Sequence, residues 1–131
     1  MSGRTKEGKV YLRLALQASR RQREASRKAH LENPLPSLAW REPEALEELS
    51  HAEWLRARLD QCRTMLTGPE GGLHKKPTLI RTLDPAMRAA LDLQCSGGHA
   101  HELVQGKATA LSATYSKEFA EIAVKIILGR G

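Results

Sequence analysis

Aromatic side chains are scarce, at 4% of 131 residues, and the whole apolar share is 40%. A core assembled under that limit must come mainly from Leu, Ala and Ile, and it will be thin. Cysteine occurs only twice, as Cys62 and Cys95. Two cysteines cannot build a disulfide framework, so free thiols or metal ligands are expected, with a single bridge as the remaining alternative. No run approaches the roughly 20 apolar residues that span a bilayer. The opening MSGRTKEGK has no apolar signal region. The expectation is an intracellular chain, in cytoplasm or nucleus, without membrane contact.

Chemistry of enzyme type is also missing at the level of motif. No Ser/His/Asp set or paired carboxylates stand out by local spacing. A complete active site within the isolated chain is therefore not expected.

What is present is charge, unevenly placed. Residues 1–30 hold nine Lys/Arg against two acids, and the remainder holds twelve against thirteen, so the net charge of +6 comes from the leading segment. Arg20, Arg21, Arg23, Arg27 and Lys28, with Lys75 and Lys76 further on, are the candidate phosphate contacts. A basic patch of this kind binds nucleic-acid backbones by counterion release, whatever the base sequence. The bland alternative is a solvated helix face.

The pattern along the chain predicts an α/β fold, three-layer in style, of about three short strands and three to four helices, with an incomplete fold as the alternative. Residues 1–10 read as a disordered basic tail and 11–131 as one small domain. A first helix is expected over 11–29 with Tyr11, Leu14, Ala15 and Ala18 on its buried stripe. His30–Glu32 reads as a short strand before Pro34 and Pro36. Pro43 opens a helix whose stripe of Leu46, Leu49, Ala52, Leu55 and Leu59 carries it to about residue 59. Cys62–Leu66 and Thr78–Thr82 read as strands, and Asp84-Pro85 supplies a cap and first-turn proline for a helix to about Leu93. A last helix is expected over 108–128, with Tyr115, Phe119, Ile122 and Ile126 inward.

Cys95-Ser-Gly-Gly-His99-Ala-His101 places three transition-metal ligands within seven residues, and its glycines let the backbone fold them toward one point. A tetrahedral zinc needs a fourth ligand. Cys62 is the first choice and His74 the second. Packing of Cys95 as a small apolar group, with the histidines in solvent, is the alternative.

The segment HLENPLPSLAW, with DQCRTML and KKPTLIRT after it, resembles a divergent group of methyltransferase-like proteins related to cytosine-C5 DNA methyltransferases. The resemblance spans residues 11–131, and its more specific elements are the stretch from LENP to Trp40 and the KKPT. It implies that Glu32, in Glu32-Asn33-Pro34, corresponds to the glutamate that positions the flipped cytosine. The departures matter. The family's thiolate nucleophile lies upstream of that glutamate, where this chain has no cysteine, and the methyl-donor loop is missing. The resemblance thus implies a truncated module, inactive by itself, that binds no methyl donor alone, contacts nucleic acid at most, and is either nonfunctional or acts with a partner chain that supplies a donor-binding half. A small nucleic-acid-binding domain with structural zinc is the alternative, and a protein-interaction module the second.

Overall fold

A computed structural model of the chain describes residues 6–103 and 115–129. The expected tail falls partly outside these residues. The first helix, α1 (Lys6–Glu24), starts five residues earlier than the apolar stripe predicts and stops five residues sooner. Its buried side differs too. Leu16 and Ser19 are buried while Tyr11 and Leu14 stand exposed, because the helix is turned to bring Leu12, Leu16 and Arg23 toward a neighbouring helix and Trp54.

Three strands follow: β1 (His30–Pro34), β2 (Leu55–Asp60) and β3 (Pro77–Thr82). They form one antiparallel sheet in the order β1-β3-β2. The helix expected from Pro43 ends as α2 (Pro43–Glu48), and Leu55–Asp60 is strand instead. Leu55, Ala57 and Leu59 satisfy a period of two as well as a helical stripe, and pairing with Thr82, Ile80 and Thr78 of β3 settles the choice. The segment at Cys62 is likewise no strand. Gln61–Thr64 makes a 3-10 turn stopped by Met65 in the left-handed region at φ 64°. α3 (Pro85–Leu91) has the expected cap, Asp84 accepting the Ala86 N–H. α4 (Lys117–Ile127) is capped by Ser116, so Tyr115 precedes the helix rather than lying in it. The part of the expected last helix before Tyr115 lies outside the described residues.

Residues opposite one another in an antiparallel pair share a face. Ala57 and Ile80 therefore lie on one side of the sheet with Leu59, and there they pack against Met87, Leu91 and Phe119 of α3 and α4. Leu31 lies on the other side, against Leu16, Ala45, Leu49 and Trp54. The result is three layers, α1 and α2, then sheet, then α3 and α4. Two small cores share one sheet, consistent with the low aromatic content.

Ionic and polar links complete the first layer. The Arg23 guanidinium donates to both oxygens of Glu48, at 2.6 and 3.1 Å, and the Trp54 indole N–H donates to the same carboxylate at 2.8 Å. Burial alone would raise the Glu48 carboxyl, but these donors hold it below the ordinary range. The outer edge of β2 is covered as well. Asp60 donates its N–H to the Leu93 carbonyl, and the Arg58 N–H goes to the Asp92 carboxylate, which removes an open edge.

His30 Nδ1 on β1 is hydrogen-bonded to the Thr82 hydroxyl at 2.8 Å, and that hydroxyl oxygen also accepts the Asp84 N–H. Burial, and to a lesser degree Lys28, lowers the His30 pKa below its ordinary value, with Asp84 opposing. A histidine depressed in the fold contributes stability above its unfolded pKa of about 6.5, and that contribution is lost as pH falls through the folded value. His30→Gln, which keeps an acceptor but cannot titrate, should flatten the fall in melting temperature below about pH 6.5. Parallel melts of the two chains between pH 5 and 8 would check this.

Candidate metal centre

The end of β2 delivers Cys62 to the rim of the sheet. Gln61 donates its N–H to the Lys75 carbonyl and its side-chain amide to Thr78 at 2.8 Å, tying the turn to the start of β3. Cys62 is thereby held in place and buried. Cys95 arrives from the opposite direction, four residues after α3. Its N–H donates to Asp60 Oδ2 at 2.8 Å, so the last residue of β2 positions the second sulfur. Gly97 and Gly98, at φ 83° and 81°, then reverse the chain and bring His99 and His101 back over Cys95.

The four side chains meet at one point. One ligand atom from each of Cys62, Cys95, His99 and His101 lies within 4.8 Å of all the others. Cys95 Sγ is 3.4 Å from His99 Nε2 and 3.5 Å from His101 Nε2, and the two imidazole nitrogens are 2.9 Å apart. Burial, assisted by Cys95 and Asp60, pushes the Cys62 thiol up to about 11. A metal would therefore have to displace protons to bind, and its affinity would rise with pH. This Cys2His2 group can hold a metal ion. His74, the second choice for the fourth place, is not among the four.

Two carboxylates support the centre and were not singled out by sequence spacing. Asp60 is 1% exposed. Its Oδ1 has no hydrogen-bond partner among the described residues, and Arg58 lies 3.7 Å away. Glu102, directly after His101, accepts the N–H groups of Glu70 and Gly72 and so ties the Gly68–Gly72 loop to the segment that carries His99 and His101. A side chain at Gly68 would run into that carboxylate.

The candidate phosphate contacts are not gathered into one surface. Arg20 pairs with Glu24 at 3.3 Å, and Arg23, with only 11% of its side chain exposed, is committed to Glu48. Its burial in that ion pair removes it from a basic face. Arg21, in the last turn of α1, and Arg27 and Lys28, in the link to β1, stay exposed. Lys75 and Lys76 precede the other end of β3, since His30 faces Thr82, and the two groups are thus separated by roughly 17 Å of strand. Lys76, at φ 37°, places its ammonium 5.9 Å from the centre of the Tyr115 ring. Burial lowers its pKa, opposed by Glu32. Glu32 itself, half-buried on β1, accepts the Tyr115 hydroxyl.

No family model, curated protein or solved structure matches this chain. Among the described residues, no helix is long and apolar enough to cross a membrane.

Asp60→Ala should weaken metal affinity by about 10- to 100-fold, the usual cost of losing an outer-shell partner. Asp60→Asn, which keeps an acceptor for the Cys95 N–H, should recover most of it. Competition against a chelating dye measures both.

Proposed function

We propose that this chain is a zinc-organised nucleic-acid-binding domain in which the metal fastens the loop after α3 to the end of β2. The observation that carries the reading is the four-ligand group itself. Zinc at about 2.3 Å from sulfur and about 2.0–2.1 Å from nitrogen implies tetrahedral S to N edges of about 3.5 Å and N to N of about 3.3 Å. The S to N separations of 3.4 and 3.5 Å match, and the N to N separation of 2.9 Å opens slightly on loading. A closed set of four protein ligands is the structural type, since a catalytic zinc keeps one position for water or substrate.

The metal has a mechanical reason to be there. The segment from Cys95 to His101 is mostly exposed and contains two glycines in left-handed geometry, so it loses much conformational entropy on ordering. Metal binding offsets that loss because its free energy is also folding free energy.

The phosphate-binding part rests on Arg21, Arg27 and Lys28. These are exposed and make no ion pair among the described residues, Arg21 in the last turn of α1 and Arg27 and Lys28 in the link from it to β1. Of the functional residues that the methyltransferase resemblance implies, only Glu32 has a counterpart in this chain. A base placed there would have to displace the Tyr115 phenol, which makes zinc-organised binding the better supported reading.

Protein purified without a metal-binding tag should carry about one zinc per chain. Free zinc at 100-fold over its dissociation constant adds about 2.7 kcal/mol of stability, so chelation should lower the melting temperature by roughly 10 °C. A chain without zinc, with a melt indifferent to chelator, overturns the metal reading.

For the basic turn, affinity for a short duplex should fall with salt. Replacing Arg21, Arg27 and Lys28 by Ala should reduce the magnitude of the logarithmic salt slope by about 2 to 3, given about 0.9 per phosphate neutralised. Fluorescence anisotropy across a salt series reads this directly. Unmeasurable binding at low salt would sink the nucleic-acid part and leave the zinc part standing.

A further inference from the structure

Both cysteines of the chain belong to the one centre, and their surroundings differ. Cys62 is 3% exposed and fixed in a hydrogen-bonded turn. Cys95 is partly exposed and begins the loop whose Gly97 and Gly98 would meet no atom within 4 Å even if they carried a Cβ. Next to it, His99 and His101 are exposed, so a small solute can reach the Cys95 sulfur from solvent while Cys62 stays shielded. The two Sγ atoms are within 4.8 Å. A bond of about 2.05 Å between them requires Cβ atoms about 3.5–4.5 Å apart, a spacing set by the backbone, so side-chain rotation turns the Cys95 sulfur toward Cys62 and the loop that begins at Cys95 adjusts its backbone to that spacing.

We propose that the centre is a redox switch, in which a peroxide oxidises Cys62 and Cys95 to an intrachain disulfide and expels the metal. This rests on the reading of the four residues as a zinc site. The Cys95 sulfur attacks the peroxide, forming an S–O bond as the O–O bond breaks, and the departing oxygen leaves as water after taking a proton. The Cys62 sulfur then attacks the resulting sulfenic acid. An S–S bond forms, the S–O bond breaks, and the second oxygen leaves as water with a second proton. Two thiolates, two protons and one peroxide become one disulfide and two waters. Sulfur is oxidised and the peroxide reduced.

Loss of both thiolates leaves only His99 and His101, which is half the ligand set, so zinc is released. The new bond joins the same two elements that the metal joined, the end of β2 and the loop after α3. The switch therefore changes what His99 and His101 are attached to without undoing the sheet. The sensed quantity is peroxide, and the exposed histidine loop carries the output.

The test uses the full chain loaded with zinc, treated with an equimolar amount of hydrogen peroxide in the absence of other thiols. Zinc release is followed with an indicator dye, free thiols by titration, and the products by peptide mass mapping. The expected result is release of the zinc in step with loss of both thiols, a Cys62–Cys95 cross-linked peptide, and recovery on adding dithiothreitol and zinc. Three results would overturn it: zinc retained with both thiols protected, cysteine carried to sulfinic or sulfonic acid without a cross-link, or disulfides joining two chains. Failure to take up zinc before any oxidant is added sinks the zinc reading together with the switch. Normal uptake followed by any of those three results sinks the switch alone.

Discussion

β3 is the constraint on which the molecule depends, because it is paired on both edges and covered on both faces. Leu79 and Ile80 are buried, and Thr78 and Thr82 have no exposure at all. A polar side chain in such a strand must find partners or cost free energy. Each one does, and each partner belongs to a different part of the chain. Thr78 takes the Gln61 amide and closes on the Lys76 carbonyl. Thr82 connects His30 of β1 to the start of α3. Arg81 donates to the carbonyls of Leu49, Trp54 and Leu55, fastening the turn between α2 and β2. The six residues of this strand thus hold the sheet, the turn that carries Cys62 and the layer of α1 and α2 in one frame.

How far this was legible depended on whether a segment's neighbours in sequence or in space decided its form. β3 and α3 were readable because β-branched residues and the Asp84-Pro85 cap act locally. Residues 43–59 were not, since Leu46, Leu49, Leu55 and Leu59 fit a helix and Leu55, Ala57 and Leu59 fit a strand equally well. Only the distant β3 chooses between them. The rotation of α1 had the same cause. Its Tyr11 and Leu14 look better suited to a core than Ser19 and Arg23, but Glu48 and Trp54 reward the other orientation. Cys95, His99 and His101 were legible as a group because the spacing around Gly97-Gly98 is itself chemical information, Cys62 was the first choice for a fourth member, and the fold brings the four together. Asp60 and Glu102, whose partners are backbone N–H groups, leave no such mark.

The Cys/His cluster with its polar supports and the two cores divide the work of holding a chain poor in large side chains. Core packing accounts for the faces of the sheet. At the rim, where Gly68–Gly72 and Cys95–His101 come together, there is little apolar surface to bury. Order there comes instead from directed contacts: Glu102 on two backbone N–H groups, Asp60 on a third, and four ligand atoms turned to a common point. The rim should consequently be the part of the fold most sensitive to its chemical surroundings, because directed contacts can be broken one at a time while apolar burial is spread over many atoms.

The sheet order also bears on synthesis. β3 is made last of the three strands yet lies between the other two, and His30 meets a partner 52 residues further on. During translation β1 and β2 emerge with nothing between them to pair with, so the sheet cannot assemble until residue 82 has left the ribosome. Contacts of such long separation slow folding and expose strands meanwhile. The prolines at and just after the end of β1, Pro34 and Pro36, and the exposed arginines of β2, Arg56 and Arg58, then act as guards that discourage those waiting strands from pairing with another nascent chain.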